Sequence, residues 1–96
     1  VVKAPVRVYN NSRIRDLAQQ AATDFRGSGW NVTEIGNYPY GAIGTSTVYY
    51  RPGTREQAAA ESLASSFGLR AAPRFSGIAG ATPGLIVIIT RDYQRR

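Results

Sequence analysis

The residues best suited to chemistry lie in one short run, Asn10-Asn11-Ser12-Arg13-Ile14-Arg15, between an alternating strand and an Ala-rich helix. Two amides, a hydroxyl and two guanidiniums converge there. Free backbone amides at a helix N-terminus attract anions and the side-chain donors add hydrogen bonds, so the run can hold a phosphate or a carboxylate. The same residues can equally form a plain tight turn at Asn10 and Asn11, with Ser12 as the helix cap. A second set is Arg51 and Arg55 around the Pro52-Gly53 turn, with Tyr38 and Tyr40 in a preceding loop and Tyr49 and Tyr50 in a preceding strand. Aromatic faces beside Arg suit sugar rings that carry anionic groups, and suit single-stranded RNA as well. Strand tyrosines such as Tyr49 and Tyr50 also read as ordinary sheet packing.

The chain has no cysteine and no histidine. That removes disulfides, thiol nucleophiles, the commonest metal ligands and the one side chain that titrates near neutrality. Asp16, Asp24, Glu56 and Glu61 fall on predicted helices among basic neighbours rather than as a carboxylate dyad, and the serines lack a histidine to activate them. Residues 77–84 are Gly-rich, but they lack a Lys-Ser/Thr ending and lead into a strand, unlike a phosphate loop. No catalytic residue, metal or cofactor is expected.

Twelve basic residues against six acidic ones give a net charge of +6, and Lys3 is the only lysine. The guanidinium fork suits phosphate and carboxylate better than an ammonium does, so an anionic partner is expected. The same Arg- and Ala-rich composition can also reflect a GC-rich genome. The longest apolar run, Leu85–Ile89, is far short of the ~20 residues that span a bilayer. Because the chain begins at Val1 rather than Met, a signal or membrane anchor is expected upstream.

These residues must be held by a small set of elements. Residues 1–5 read as an extended lead-in, residues 6–93 as one domain and residues 94–96 as a tail. Val6 and Val8 alternate with Arg7 and Tyr9 as in a half-buried strand. Ile14, Leu17, Ala18, Ala21 and Phe25 repeat at helical spacing, with Gly27 and Gly29 as the stop. Trp30, Val32 and Ile35 mark a second strand and residues 47–51 a third. Thr54 and Gln57 form a capping-box signal for a helix with Ala60, Leu63, Ala64 and Phe67 on its inner face and Gly68 at its end. Residues 70–75 read as a short edge segment. The apolar run Leu85–Ile89 reads as a strand covered on both faces.

The order β-α-β-β-α-β predicts an α+β two-layer sandwich, a four-stranded, largely antiparallel ferredoxin-like sheet with two helices on one face. That topology leaves the last strand at an edge. So apolar a strand there needs a neighbour, either residues 72–75 or a partner chain, and self-association through this edge follows as an option.

The ordered set Val6-Arg7-Val8-Tyr9-Asn10-Asn11-Ser12, Ile14-Arg15-Asp16-Leu17-Ala18, Gly29-Trp30-Asn31-Val32, Thr47-Val48-Tyr49-Tyr50-Arg51-Pro52-Gly53, Leu63-Ala64-Ser65-Ser66-Phe67-Gly68-Leu69 and Thr90-Arg91-Asp92-Tyr93 resembles the LytR C-terminal domain. Asn11 replaces the glycine usual in that family's turn, and Asn tolerates the left-handed region. The resemblance implies an extracytoplasmic, non-catalytic module of bacterial envelope proteins, found on LytR-CpsA-Psr phosphotransferases or behind a membrane anchor. It also implies peptidoglycan or an anionic wall polymer as ligand and those phosphotransferases as partners, in a scaffold role. The expected binding residues are Asn10, Asn11, Arg13, Arg15, Tyr38, Tyr40, Arg51 and Arg55. RNA binding is the alternative, since a basic ferredoxin-like sheet with aromatics is how RNA-recognition domains work. Nucleic acid is disfavoured as a partner because residues 44–50 lack the third-strand motif of those domains.

Overall fold

The computed structural model describes residues 4–12, 14, 16–38, 44–75, 78 and 83–93. Its elements are β1 (Val6–Asn10), α1 (Leu17–Gly27), β2 (Val32–Asn37), β3 (Thr47–Tyr50), α2 (Glu56–Phe67), β4 (Arg70–Pro73) and β5 (Leu85–Ile89). The α+β class and the two helices agree with expectation. The sheet differs: it has five strands in the order β2-β1-β5-β3-β4. Three of its four pairings, β1 with β2, β1 with β5 and β3 with β4, are parallel, and β3 with β5 is antiparallel. The ferredoxin-like arrangement is therefore corrected to two parallel β-α-β units joined by β5.

The greasy last strand explains the difference. All five β5 residues are buried, and a strand apolar on both faces belongs in the middle of a sheet, where both edges are also paired. The short segment expected beside β5 instead forms β4 against β3, at the edge, where Pro73 needs no ladder donor.

Crossovers of the usual right hand, placed on either side of β5 with strand directions reversed, carry both helices to the same face. Both do line one face. Phe25 of α1 meets Phe67 of α2 edge to face, with centroids 4.8 Å apart. They close a core with Val6, Val8, Val48, Leu63, Leu85, Val87 and Ile89. The opposite face carries a smaller cluster in which Ile86, Ile88, Tyr49 and Ala72 pack with Ile78, Tyr9, Tyr38 and Phe75. This second cluster is why β5 shows no alternation.

Both helix ends at glycine follow the sequence. Gly29 has a φ of 88°, and the Trp30 and Gly29 amides donate back to the carbonyls of Phe25 and Arg26 at 3.0 Å each, the paired bonds of a left-handed C-terminal stop. Gly68 ends α2 at a φ of 68°. The helix starts differ from expectation. α1 begins at Leu17 with Asp16 as its cap residue, and Ile14, expected on the helix stripe, is 45% exposed. At α2 the Thr54 hydroxyl accepts from the Glu56 amide at 3.2 Å. Gln57 turns away to Glu61, so the reciprocal half of the capping box is missing.

Candidate functional site

The Asn-Asn-Ser turn sits at the carboxyl end of β1 and is built by side-chain bonds. The Asn10 carbonyl oxygen Oδ1 accepts from the Ser12 amide at 2.9 Å and the Ser12 hydroxyl at 2.7 Å, while Nδ2 donates to the Ile14 carbonyl at 2.9 Å. Ser12 Oγ in turn accepts from the Ile14 amide at 3.1 Å. The Asn10 side chain thus draws residues 12 and 14 into a loop, so Ser12 cannot serve as the helix cap and α1 starts later. Asn11 Nδ2 donates to the Tyr38 carbonyl at 2.7 Å and its backbone amide to Ile89 at 2.8 Å, tying β1 to both neighbouring strands. Asn11 does not occupy the left-handed region. Asp16 does, at a φ of 61°, alone among the described non-glycine residues.

Arg51 and Arg55 lie at the other end of the molecule. β3 runs antiparallel to β5 and hence to β1, so its carboxyl end is level with the start of β1, with β5 between them, roughly 15 Å along the strands from the Asn turn at about 3.3 Å per strand residue. The Asn and Arg sets therefore do not form one surface. Arg51 is also engaged. Its Nε donates to Glu56 Oε2 at 2.8 Å and its amide to Oε1 at 3.0 Å, while the Gly84 amide donates to Oε2 at 2.9 Å. Burial works to raise the Glu56 carboxyl, but these donors and the adjacent guanidinium outweigh it and hold the group below the usual carboxylate range. Arg74 adds a bond from Nη2 to the Gly84 carbonyl at 2.7 Å. Arg51 is thus held in an ion pair with Glu56, while Arg55 is exposed. Arg13, Arg15 and Tyr40 lie outside the described residues.

Tyr38 packs in the second cluster, its ring edge-on to Phe75 at 6.2 Å, and Tyr49 meets the same ring at 5.1 Å. The sheet surface on which an RNA-recognition domain would stack bases is here filled by its own side chains, and the ferredoxin-like frame behind that analogy is absent. Next to the cluster, the Tyr9 hydroxyl donates to Glu34 Oε2 at 2.6 Å. Burial and this carboxylate push the phenol up to about 12.

One feature was not foreseen. Between the start of α1 and the carboxyl ends of β1 and β2 lies a shallow depression of about 220 Å³, lined by Asn10, Asp16, Gln19, Ile35 and Asn37 among others. It occupies the position where parallel β-α-β units present ligand sites, outside the carboxyl ends of the strands. Asp16 makes no side-chain cap bond. The sequence signal for the depression is the β-α-β order itself, while Gln19 on a helix surface carries none. Among the described residues no group of three acidic side chains could hold a metal, and no helix is long and apolar enough to cross a membrane.

A family model described as LytR cell envelope-related transcriptional attenuator matches residues 3–93. Among curated proteins the chain is similar to the vesiculogenesis and immune response regulator of Mycobacterium tuberculosis (strain ATCC 25618 / H37Rv). The two are 32% identical over 88 residues, which cover 92% of this chain and 54% of that protein, so the chain spans about half the relative's length. Among solved structures it is similar to the solution structure of the C-terminal domain of RV0431, at a TM-score of 0.64 and 31% identity, over 94% of this chain and 74% of that one.

Proposed function

Because the chain belongs to the LytR C-terminal family of cell-envelope-related proteins, we propose that it is a non-catalytic module that binds peptidoglycan, or an anionic polymer attached to it, and holds wall-assembly proteins there. The observation that carries this reading is the family match over residues 3–93, joined to a chain of net charge +6. Arg26, Arg55, Arg70 and Arg91 are exposed. Guanidiniums spread over several faces suit a repeating polyanion that passes across the surface, engaged at many weak points rather than in one deep site. LytR-CpsA-Psr phosphotransferases are the proposed partners, and the outer face of the cell membrane, reached through an upstream anchor, is the proposed location.

Retention on insoluble wall sacculi tests the reading, with single-stranded RNA as a parallel ligand, each at low and moderate salt. Binding to sacculi that weakens with salt is expected. Sacculi that hold no more protein than a buffer control would overturn it, and retention by RNA alone would replace it with the nucleic-acid reading.

A further inference from the structure

The depression at the mouth of the first β-α-β unit has a composition that the anion reading does not fit. The positive end of α1 already has a carboxylate at its cap residue, exposed Asp16, which answers the helix dipole and repels a second anion. Beside it stand the carboxamides of Gln19 and Asn37, both exposed, and Ile35 supplies an apolar floor. Asp16, Gln19 and Asn37 make no side-chain hydrogen bond with a described residue. A carboxamide presents donors and an acceptor together and a carboxylate accepts only. Groups that both donate and accept, arranged around a ring with an apolar face, are what this set matches.

We propose that this depression is a subsite for one uncharged, hydroxyl-bearing sugar ring of the wall glycan. The depression, about 220 Å³ and open to solvent, is on the scale of a single ring and not of a folded peptide. Hydroxyls of the ring donate to Asp16 and exchange hydrogen bonds with Gln19 and Asn37, while its C–H face lies on Ile35. Asn10, whose side chain is spent on Ser12 and Ile14, shapes the wall without contacting the sugar through free donors. The inference rests on the wall-binding reading and assigns its neutral contacts to this end of the molecule, leaving polyanion contacts to the exposed arginines.

The test is an amide NMR titration of the whole chain with an uncharged N-acetylglucosamine tetramer, and separately with inorganic phosphate. The tetramer should shift the backbone amides of Ala18, Gly36 and Asn37 and the side-chain amides of Gln19 and Asn37, and phosphate should leave them in place. The double variant Gln19→Ala/Asn37→Ala should melt at the wild-type temperature and bind the tetramer at least tenfold more weakly, a loss of about 1.4 kcal/mol or more. Shifts confined to other surfaces, equal shifts with phosphate, or unchanged affinity in the double variant would overturn the subsite. A wild-type chain that ignores sacculi yet shows the expected shifts would remove the wall reading and keep the sugar site. Sacculi held normally with no shifts would do the reverse.

Discussion

The Glu56 carboxylate at the head of α2 accepts the Gly84 amide at 2.9 Å, across 28 residues of chain. Glu56 is 6% exposed and takes two further N–H bonds from Arg51. One side chain therefore joins the β3 turn, the second helix and the entry to the central strand. Glu56→Gln turns an amide N–H₂ towards those donors, and a loss of about 1.5–3 kcal/mol is expected, the range for hydrogen bonds to a charged group. Urea unfolding measures it, and a midpoint matching wild type would show that the carboxylate holds nothing together.

Arg51 and Arg55 should separate cleanly. Arg51→Ala removes a guanidinium whose side chain is 39% exposed, and a loss of about 1 kcal/mol is expected after allowance for solvent screening. Arg55→Ala, at an exposed position, should stay within about 0.5 kcal/mol of wild type. Retention on sacculi should fall for Arg55→Ala while its melting is native. Equal melting of the two variants would contradict the ion pair.

Acid stability should report two carboxylates. Glu56 and Asp92 are both held below their ordinary values. For Asp92, burial pushes upward, but the Ser46 hydroxyl and amide and the Thr90 hydroxyl outweigh it. A group whose folded pKa is depressed contributes fully above its unfolded value, about 4, and loses that contribution as pH falls through the folded one. Denaturation midpoints should therefore be flat from neutral pH to about 5 and drop below about 4. Asp92→Asn should shrink the drop, and an unchanged profile would count against the assignment.

At the alkaline end Tyr9 acts with the opposite sign. Its proton is held to about 12 in the folded chain and is lost near 10 when unfolded, so its share of stability is full below 10 and disappears between those values. Tyr9→Phe should remove this alkaline loss in melting curves, and in ultraviolet titration it should delete a tyrosine that ionises near 12. An identical alkaline limb in the variant would sink the prediction.

Gly84 holds a φ of 125°, and a Cβ there would meet the Pro5 carbonyl oxygen at 3.0 Å. That oxygen also accepts the Leu85 amide at 2.8 Å, so it cannot retreat without breaking a bond between β1 and β5. Gly84→Ala should cost about 1–3 kcal/mol from strain alone. Gly53→Ala, also at positive φ but with open space around it, should cost less. The reverse ranking would mean the close approach does not matter.

How far the sequence was legible depended on which force each signal reports. Burial was legible: the run Leu85–Ile89 announced a strand covered on both faces, and Phe25, Leu63 and Phe67 their places in the core. Pairing was not. Periodicity says which face of a strand is apolar but not which strand lies beside it, so β-α-β halves whose two strands pair directly and in parallel read as split units of a largely antiparallel sheet. Strand pairing does not account for the candidate site: β3 runs opposite to β1 in the expected and the observed sheet alike, so Arg51 and Asn10 are neighbours in neither. Arg51 also looked like a free cation since its partner, Glu56, read as a surface residue of a helix first turn. The Asn10 turn was legible as a turn, while its reach to Ile14 depended on where the helix began.

The central position of β5 sets an order on assembly. Each half, β1-α1-β2 and β3-α2-β4, exposes a bare strand edge and an open core until Leu85–Ile89 zips between Val6–Asn10 and Thr47–Tyr50. Synthesis delivers that keystone after everything it joins, so the growing polypeptide has no closed sheet to lock into and stays pliable until those five residues emerge.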